Sequence, residues 1–76
     1  MKGLVEAIAK SLVDDPDAVT VTEQTEKQVI VVTLKVAADD MGKVIGKQGR
    51  IAKAIRTVVK AAAVKSNKKV IVEIVQ

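Results

Sequence analysis

The run Val44-Ile45-Gly46-Lys47-Gln48-Gly49-Arg50 sets the organisation of this 76-residue chain. Two glycines flank two polar residues, an aliphatic pair precedes them, an arginine follows, and a regular apolar pattern begins at Ile51. This spacing predicts a sharp turn between two helices, with the second helix opening at Gly49. A helix start presents unpaired backbone N–H groups and a partial positive charge, which suits an anion. Lys47 in the turn and Arg50 in the first helical turn point to phosphate. A cation early in a helix opposes the macrodipole, a conflict that a bound anion relieves.

Working outward, Asp39 or Asp40 is a good N-cap for a short helix over residues 40–45, which the glycine turn ends. A long helix follows from Arg50 to Lys65. Its Ile51, Ile55, Val58 and Ala62 cluster within about 60° of arc, and Ala52, Ala54, Val59, Ala61 and Ala63 widen the apolar side to about 200°. Arg50, Lys53, Arg56 and Lys60 share about 120° of the other side. One sheet-facing stripe needs only somewhat more than about 100°, so the alanine-rich edge of the helix is spare and suits close helix packing or a partner.

Before the turn, Leu4, Val5, Ile8, Ala9, Leu12 and Val13 recur at helical spacing and predict a helix from Lys2 to Val13, ended by Asp14-Asp15-Pro16. Asp17–Glu23 and residues 28–36 alternate as two strands of a hairpin, with Gln24-Thr25-Glu26-Lys27 as its turn. After the long helix, Ser66-Asn67-Lys68 leads into a strand from Lys69 to Val75. The order is α-β-β-α-α-β, an α+β fold, read as one domain over residues 1–76. The crossover favours parallel pairing of the last strand with residues 28–36, giving a three-stranded mixed sheet with three helices packed on one face. Ile30, Val32, Leu34, Val70, Val72 and Ile74 are expected inside.

Charge is divided between the halves. Residues 1–40 hold four basic and eight acidic groups, whereas residues 41–76 hold nine basic groups and one acidic group, Glu73. The half with the glycine turn therefore makes one positive surface. There is no Phe, Tyr or Trp, so base stacking on aromatic rings, worth about 1–3 kcal/mol per base, is excluded. A nucleic-acid site here must use charge, backbone and aliphatic contacts. The absence of cysteine and histidine removes disulfides, thiolate metal sites, the commonest zinc ligand and the commonest general base. No nucleophile–base pair stands out, and neither an enzyme nor a cofactor is expected. The first ten residues carry Glu6 and Lys10 and do not resemble a signal peptide, and no apolar run is long enough to span a membrane. A cytoplasmic protein is the expectation.

Other motifs have plainer readings. Gly42, Gly46 and Gly49 fit neither the dinucleotide fingerprint nor a P-loop, because Gln48 follows Lys47 where a P-loop needs Ser or Thr. Gly42 stands four residues before Gly46, a spacing suited to close helix contact. Asp14, Asp15 and Asp17 lack the glycine and terminal glutamate of a calcium loop and read as helix termination. Asp39 and Asp40 read as caps rather than catalytic carboxylates.

Ile45-Gly46-Lys47-Gln48-Gly49, with Val44 before it and Arg50-Ile51 after it, resembles the signature of the KH domain, and the element order resembles its type II form. The likeness covers essentially the whole chain, and the string from Met41 to Ala63 is similar to the small bacterial single-KH RNA-binding proteins of the KhpA type. The resemblance implies single-stranded RNA binding, with about four nucleotides in a narrow groove, and a role as a post-transcriptional regulator or RNA chaperone. It also implies homodimers, and heterodimers with a larger KH protein of the Jag type. The family's loop glycines fall on Gly46 and Gly49 and its variable loop residues on Lys47 and Gln48.

The residue chemistry supports the same mechanism. N–H groups near Gln48 to Arg50 are expected to donate to phosphate oxygens, with Lys47, Arg50, Lys43 and Lys53 adding charge. Ile45 and Ile71 are the candidates for an aliphatic floor beneath the bases, although Ile45 suits core packing as well. Arg56, Lys60 and Lys65 read as a solvated helix face. Three or four neutralised phosphates give a log K against log salt slope of about −2 to −3. The alternative function is a protein-interaction module using the alanine-rich edge of the helix at 50–65.

Overall fold

The computed structural model describes residues 1–76. The elements are α1 (Lys2–Leu12), β1 (Thr20–Glu26), β2 (Val29–Lys35), α2 (Met41–Ile45), α3 (Arg50–Ala62) and β3 (Lys69–Val75), with single 3-10 turns at Pro16–Ala18, Ala38–Asp40, Lys47–Gly49 and Val64–Ser66. The expected order α-β-β-α-α-β is the observed one. The sheet runs β1-β2-β3. β1 pairs antiparallel to β2, and β2 pairs parallel to β3 with Ile30 beside Val70, Val32 beside Val72 and Leu34 beside Ile74.

Alternation sends Ile30, Val32, Leu34, Val70 and Val72 to the buried side, where they meet Val5 and Ala9 of α1, Val44 of α2, and Ile55 and Val59 of α3. Ile74 is half-buried against the same core. Each fully buried aliphatic side chain contributes about 1.5–3 kcal/mol, and these residues supply most of what holds so small a sheet to its helices.

Several boundaries differ from the expectation. β1 begins at Thr20 rather than Asp17 because Pro16–Ala18 closes a 3-10 turn, with the Val19 N–H donating to the Pro16 carbonyl. β1 continues through Gln24-Thr25-Glu26, and the hairpin turns at Lys27-Gln28. Neither of those two residues has positive φ, so the turn needs no glycine and leaves no glycine signal. α3 ends at Ala62 rather than Lys65, and Asn67 in the left-handed region (φ 56°) redirects the chain into β3.

The buried stripe of α3 is Ala52, Ile55, Val59 and Ala63, rotated by about 75° from the expected Ile51, Ile55, Val58 and Ala62. Small Ala63 packs into the core with the strand residues, while Ile51 and Val58 turn toward α1. Gly42 makes no close helix contact: it is exposed, and a Cβ there would meet nothing within 4 Å.

Candidate nucleic-acid interface

The glycine turn is built from backbone torsions that few residues adopt. Gly46 sits at φ 77°, ψ 173°, Gln48 at φ 59°, ψ 24° and Gly49 at φ 75°, ψ 14°. The first of these conformations is essentially restricted to glycine. Space imposes a second requirement at Gly46, where a Cβ would lie 2.6 Å from Ile51 Cγ1 and 2.9 Å from the Ile51 backbone nitrogen. Gly46 is therefore demanded by the packing of α3 on the turn. Gly49 differs: nothing lies within 4 Å of a Cβ placed there, which leaves its backbone open to a close approach.

Hydrogen bonding sorts the N–H groups of the turn. The Gly46 N–H closes α2 on the Gly42 carbonyl at 2.9 Å, and the Gly49 N–H donates to the Gly46 carbonyl at 3.1 Å. The Arg50 N–H donates to the Lys47 carbonyl. The expectation that N–H groups from Gln48 to Arg50 face a ligand thus needs correction, since those of Gly49 and Arg50 are used inside the turn. The candidate donors are those of Lys47 and Gln48, the first two residues of the 3-10 turn, whose N–H groups find no acceptor inside it. Successive N–H groups beside left-handed residues form an anion-binding concavity, here at the head of α3 where the macrodipole adds positive charge.

The structure brings Lys47, Gln48, Gly49 and Arg50 together at this turn, all but Gly49 exposed, with exposed Lys53 one helical turn on. Ile45 is half-buried and packs against the core. Ile71 does not join the site: alternation along β3 turns its side chain to the uncovered face of the sheet, opposite the helices, where it is 39% exposed.

Lys43 is held elsewhere. Its ammonium is bonded to the Asp14 carboxylate and lies 3.5 Å from Asp40 Oδ1. The hydrogen bond to Asp14 raises the Lys43 pKa, against a smaller opposing effect of burial. Asp40 is the hub of this cluster and is only 2% exposed. It occupies the N-cap position of α2 but makes no capping bond there, because its own helix-like torsions (φ −99°, ψ −2°) keep the carboxylate from its own helix start. Instead it accepts the N–H groups of Asp14 at 3.2 Å and Asp15 at 3.1 Å. Burial opposes its ionisation, but those two N–H groups and Lys43 outweigh burial and hold its pKa below the usual carboxylate value. The cluster ties the end of α1 to the start of α2. It was not legible in the sequence, where three aspartates read as helix terminators and caps.

Comparison with known proteins gives the family of the chain. Residues 2–74 match the family model described as KhpA/KhpB, KH domain. The chain belongs to the KhpA/KhpB KH-domain family. Among the KhpA relatives, a protein of Clostridium acetobutylicum named RNA-binding protein KhpA is 72% identical over 75 residues, covering 99% of this chain and 100% of that protein. One of the same name from Aquifex aeolicus is 47% identical over 76 residues, covering 100% of this chain and 96% of that protein. Among solved structures, Aquifex aeolicus Era bound to GDP.AlF4- shares the fold with a TM-score of 0.69 at 21% identity, over 97% of this chain and 29% of Era. Era in complex with MgGDPNP and nucleotides 1506-1542 of 16S ribosomal RNA gives a TM-score of 0.64 at 19% identity, over 97% of this chain and 28% of that one. The type II KH fold expected from the element order is the fold of this KhpA/KhpB family member. No helix is long and apolar enough to cross a membrane.

Proposed function

We propose that this chain binds single-stranded RNA, with the Gly46–Gly49 loop holding the sugar-phosphate backbone, and acts as a post-transcriptional regulator or RNA chaperone. The observation that carries the reading is the exposed glycine turn at the head of α3, where Lys47 and Gln48 open a 3-10 turn that offers their N–H groups no acceptor. It stands in a family whose relatives bear the name RNA-binding protein. Phosphate oxygens accept these two N–H groups, the open backbone at Gly49 lets the strand approach, and Lys47, Arg50 and Lys53 neutralise charge. Lys43 contributes little, because its ammonium is already bonded to carboxylates. Three cations give a salt slope of about −2. Replacing Lys47 and Gln48 together by Asp puts two negative charges on the loop. RNA affinity is expected to vanish while the melting curve stays close to wild type, and unchanged affinity sinks the reading.

A second reading is supported by the α1–α3 seam. Ile8 and Leu12 of α1 and Ile51, Ala54 and Val58 of α3 line an apolar groove of about 420 Å³ with Arg50 at its rim, and Val58 is 45% exposed. This groove is the interface for a second copy of the chain, or for a larger Jag-type KH protein presenting the same face. Pairing sets two loops on one RNA, which compensates for weak binding by one domain. Val58→Lys is expected to convert a dimer to a monomer in sedimentation equilibrium. A wild type that is monomeric at tens of micromolar, with no heterodimer formed with a purified Jag-type protein, refutes this reading.

A further inference from the structure

The helices cover only one face of the sheet. Register sets Val29 and Val31 of β2 on the other face, beside Lys69 and Ile71 of β3, with Glu73 and Val75 farther along β3. A sheet with one wetted face alternates apolar and polar residues, whereas a strand covered on both faces reads as a continuous apolar run. β2 opens with Val29-Ile30-Val31-Val32, and β3 reads Val70-Ile71-Val72 before Glu73 and Ile74-Val75 after it. These two strands are composed as if covered twice. Their outer side nonetheless leaves Ile71 39% and Val75 37% exposed, with Val29 and Val31 half-buried.

Charge on this face is balanced. Glu73, the one acidic group of residues 41–76, stands two positions from Ile71 on one side, and Lys69 stands two positions away on the other. Glu26 of β1 and Lys35 of β2 share the face, which makes it neutral on a chain of net charge +4. None of these four groups forms an ion pair within the protein, whose ion pairs join Lys10 to Glu6 and Lys43 to Asp14 and Asp40. A neutral face offers a polyanion no net attraction. A second copy of the chain finds on it the charges complementary to its own.

We propose that the uncovered sheet face is a self-association surface, where a second copy packs sheet against sheet about a two-fold axis through Ile71, perpendicular to β3. Sheets stacked about 10 Å apart bring Ile71 and Val31 onto their counterparts, and the axis exchanges the positions of Lys69 and Glu73. Lys69 of each copy then meets Glu73 of the other, so one pair of residues makes two ion pairs, as an isologous contact requires. Three strands of seven residues present about 23 Å by about 14 Å, well below the area of about 800 Å² per partner in a stable interface. The contact therefore belongs to the weak class, with a Kd of about 0.1–1 mM. It lies across the sheet from the α1–α3 groove and depends on neither the groove nor the loop. Copies already gathered on one RNA or paired through the groove raise its effective concentration, so the face links them into larger assemblies.

The test is sedimentation equilibrium of the full chain carrying Val58→Lys, which removes the groove contact, at about 0.02–1 mM, with amide NMR shifts followed over the same range. A monomer–dimer equilibrium is expected, with concentration-dependent shifts centred on Val31, Lys69, Ile71 and Glu73. Added Lys69→Glu or Glu73→Lys sets two like-charge pairs across the axis, and each is expected to weaken association by about tenfold. Mixing the two single-charge variants in equal amounts pairs unlike charges again. The mixture, and a chain carrying both changes, should associate within about threefold of Val58→Lys alone. A Val58→Lys chain that stays monomeric at about 1 mM overturns the proposal. A mixture no more associated than its components, or shifts on α1 and α3 in place of the sheet, overturns it too. An oligouridylate that shifts the Val31 and Ile71 amides assigns the face to RNA and likewise overturns it.

Discussion

Replacement of Gly46 by alanine isolates the packing that shapes the loop. At φ 77°, ψ 173°, an L residue incurs about 1–3 kcal/mol of backbone strain. The new Cβ would also fall 2.6 Å from Ile51 Cγ1 and 2.9 Å from the Ile51 backbone nitrogen. Overpacking of that kind adds about 1–3 kcal/mol, and a rigid backbone atom among the neighbours limits relief. Against this, alanine stiffens the unfolded chain by about 0.4–1 kcal/mol. The net loss is about 3 kcal/mol. Gly49→Ala is the matched control: its left-handed torsions cost alanine about 1–2 kcal/mol, with no clash, leaving a net loss of about 1 kcal/mol. For a chain of 76 residues, 1 kcal/mol corresponds to about 6 °C in Tm. Calorimetry at fixed protein concentration should therefore show drops of about 18 °C for Gly46→Ala and about 6 °C for Gly49→Ala. Ile51→Ala removes Cγ1 but keeps the backbone nitrogen, so in a double-mutant cycle it should recover only part of the Gly46→Ala loss, about 1 kcal/mol. Equal Tm shifts for the two glycines, or no coupling to Ile51, refute the assignment of Gly46 to packing and Gly49 to an open approach.

Three further outcomes are expected. Asp40→Asn should destabilise the protein at neutral pH, and the gap from wild type should close on acidification. The Asp40 pKa is lowered on folding, so its stabilisation is present above the unfolded value of about 3.9 and is lost as pH falls through the folded value; thermal melts between pH 2 and pH 7 check this. Lys43→Gln should leave the RNA salt slope within about 0.3 of wild type, whereas Lys47→Gln should reduce it by about 0.7, as read in a salt titration of anisotropy. Val32→Ala, at a position buried between β2 and the helices, should cost about 2–3 kcal/mol, and Val31→Ala, on the uncovered face, less than about 1 kcal/mol by urea denaturation.

Much of the fold is legible in the sequence because its strands obey a strict period of two. Residues 29–35 and 69–75 name their buried face correctly, and the parallel pairing follows from the crossover. β1 is harder. Only Val21 is buried along it, and Glu23 and Thr25 lie on the inner side yet remain exposed, so no hydrophobic signal marks its true end. α3 carries an apolar arc wider than any one partner needs, and periodicity alone does not say which part meets the sheet. Close approach decides it: small Ala63 packs into the core with the strand residues, while Ile51 and Val58 serve the α1 side. At the candidate site, the loop residues could be named from glycine spacing and charge. The commitment of Lys43 to Asp14 could not, because that contact joins residues 29 positions apart. Ile71 differs: the alternation that buries Val70 and Val72 already turns it to the uncovered face, so its place beneath the bases was at odds with a pattern the sequence shows.

Whether the loop holds an RNA backbone is measured most directly by a titration of a fluorescent oligouridylate against wild type and Lys47→Asp, Gln48→Asp at several salt concentrations. A loop that holds the backbone gives saturable, salt-dependent binding by wild type, with a tetranucleotide slope of about −2, and no measurable binding by a variant that melts as wild type does. Equal affinity and equal slope for the two proteins contradict it.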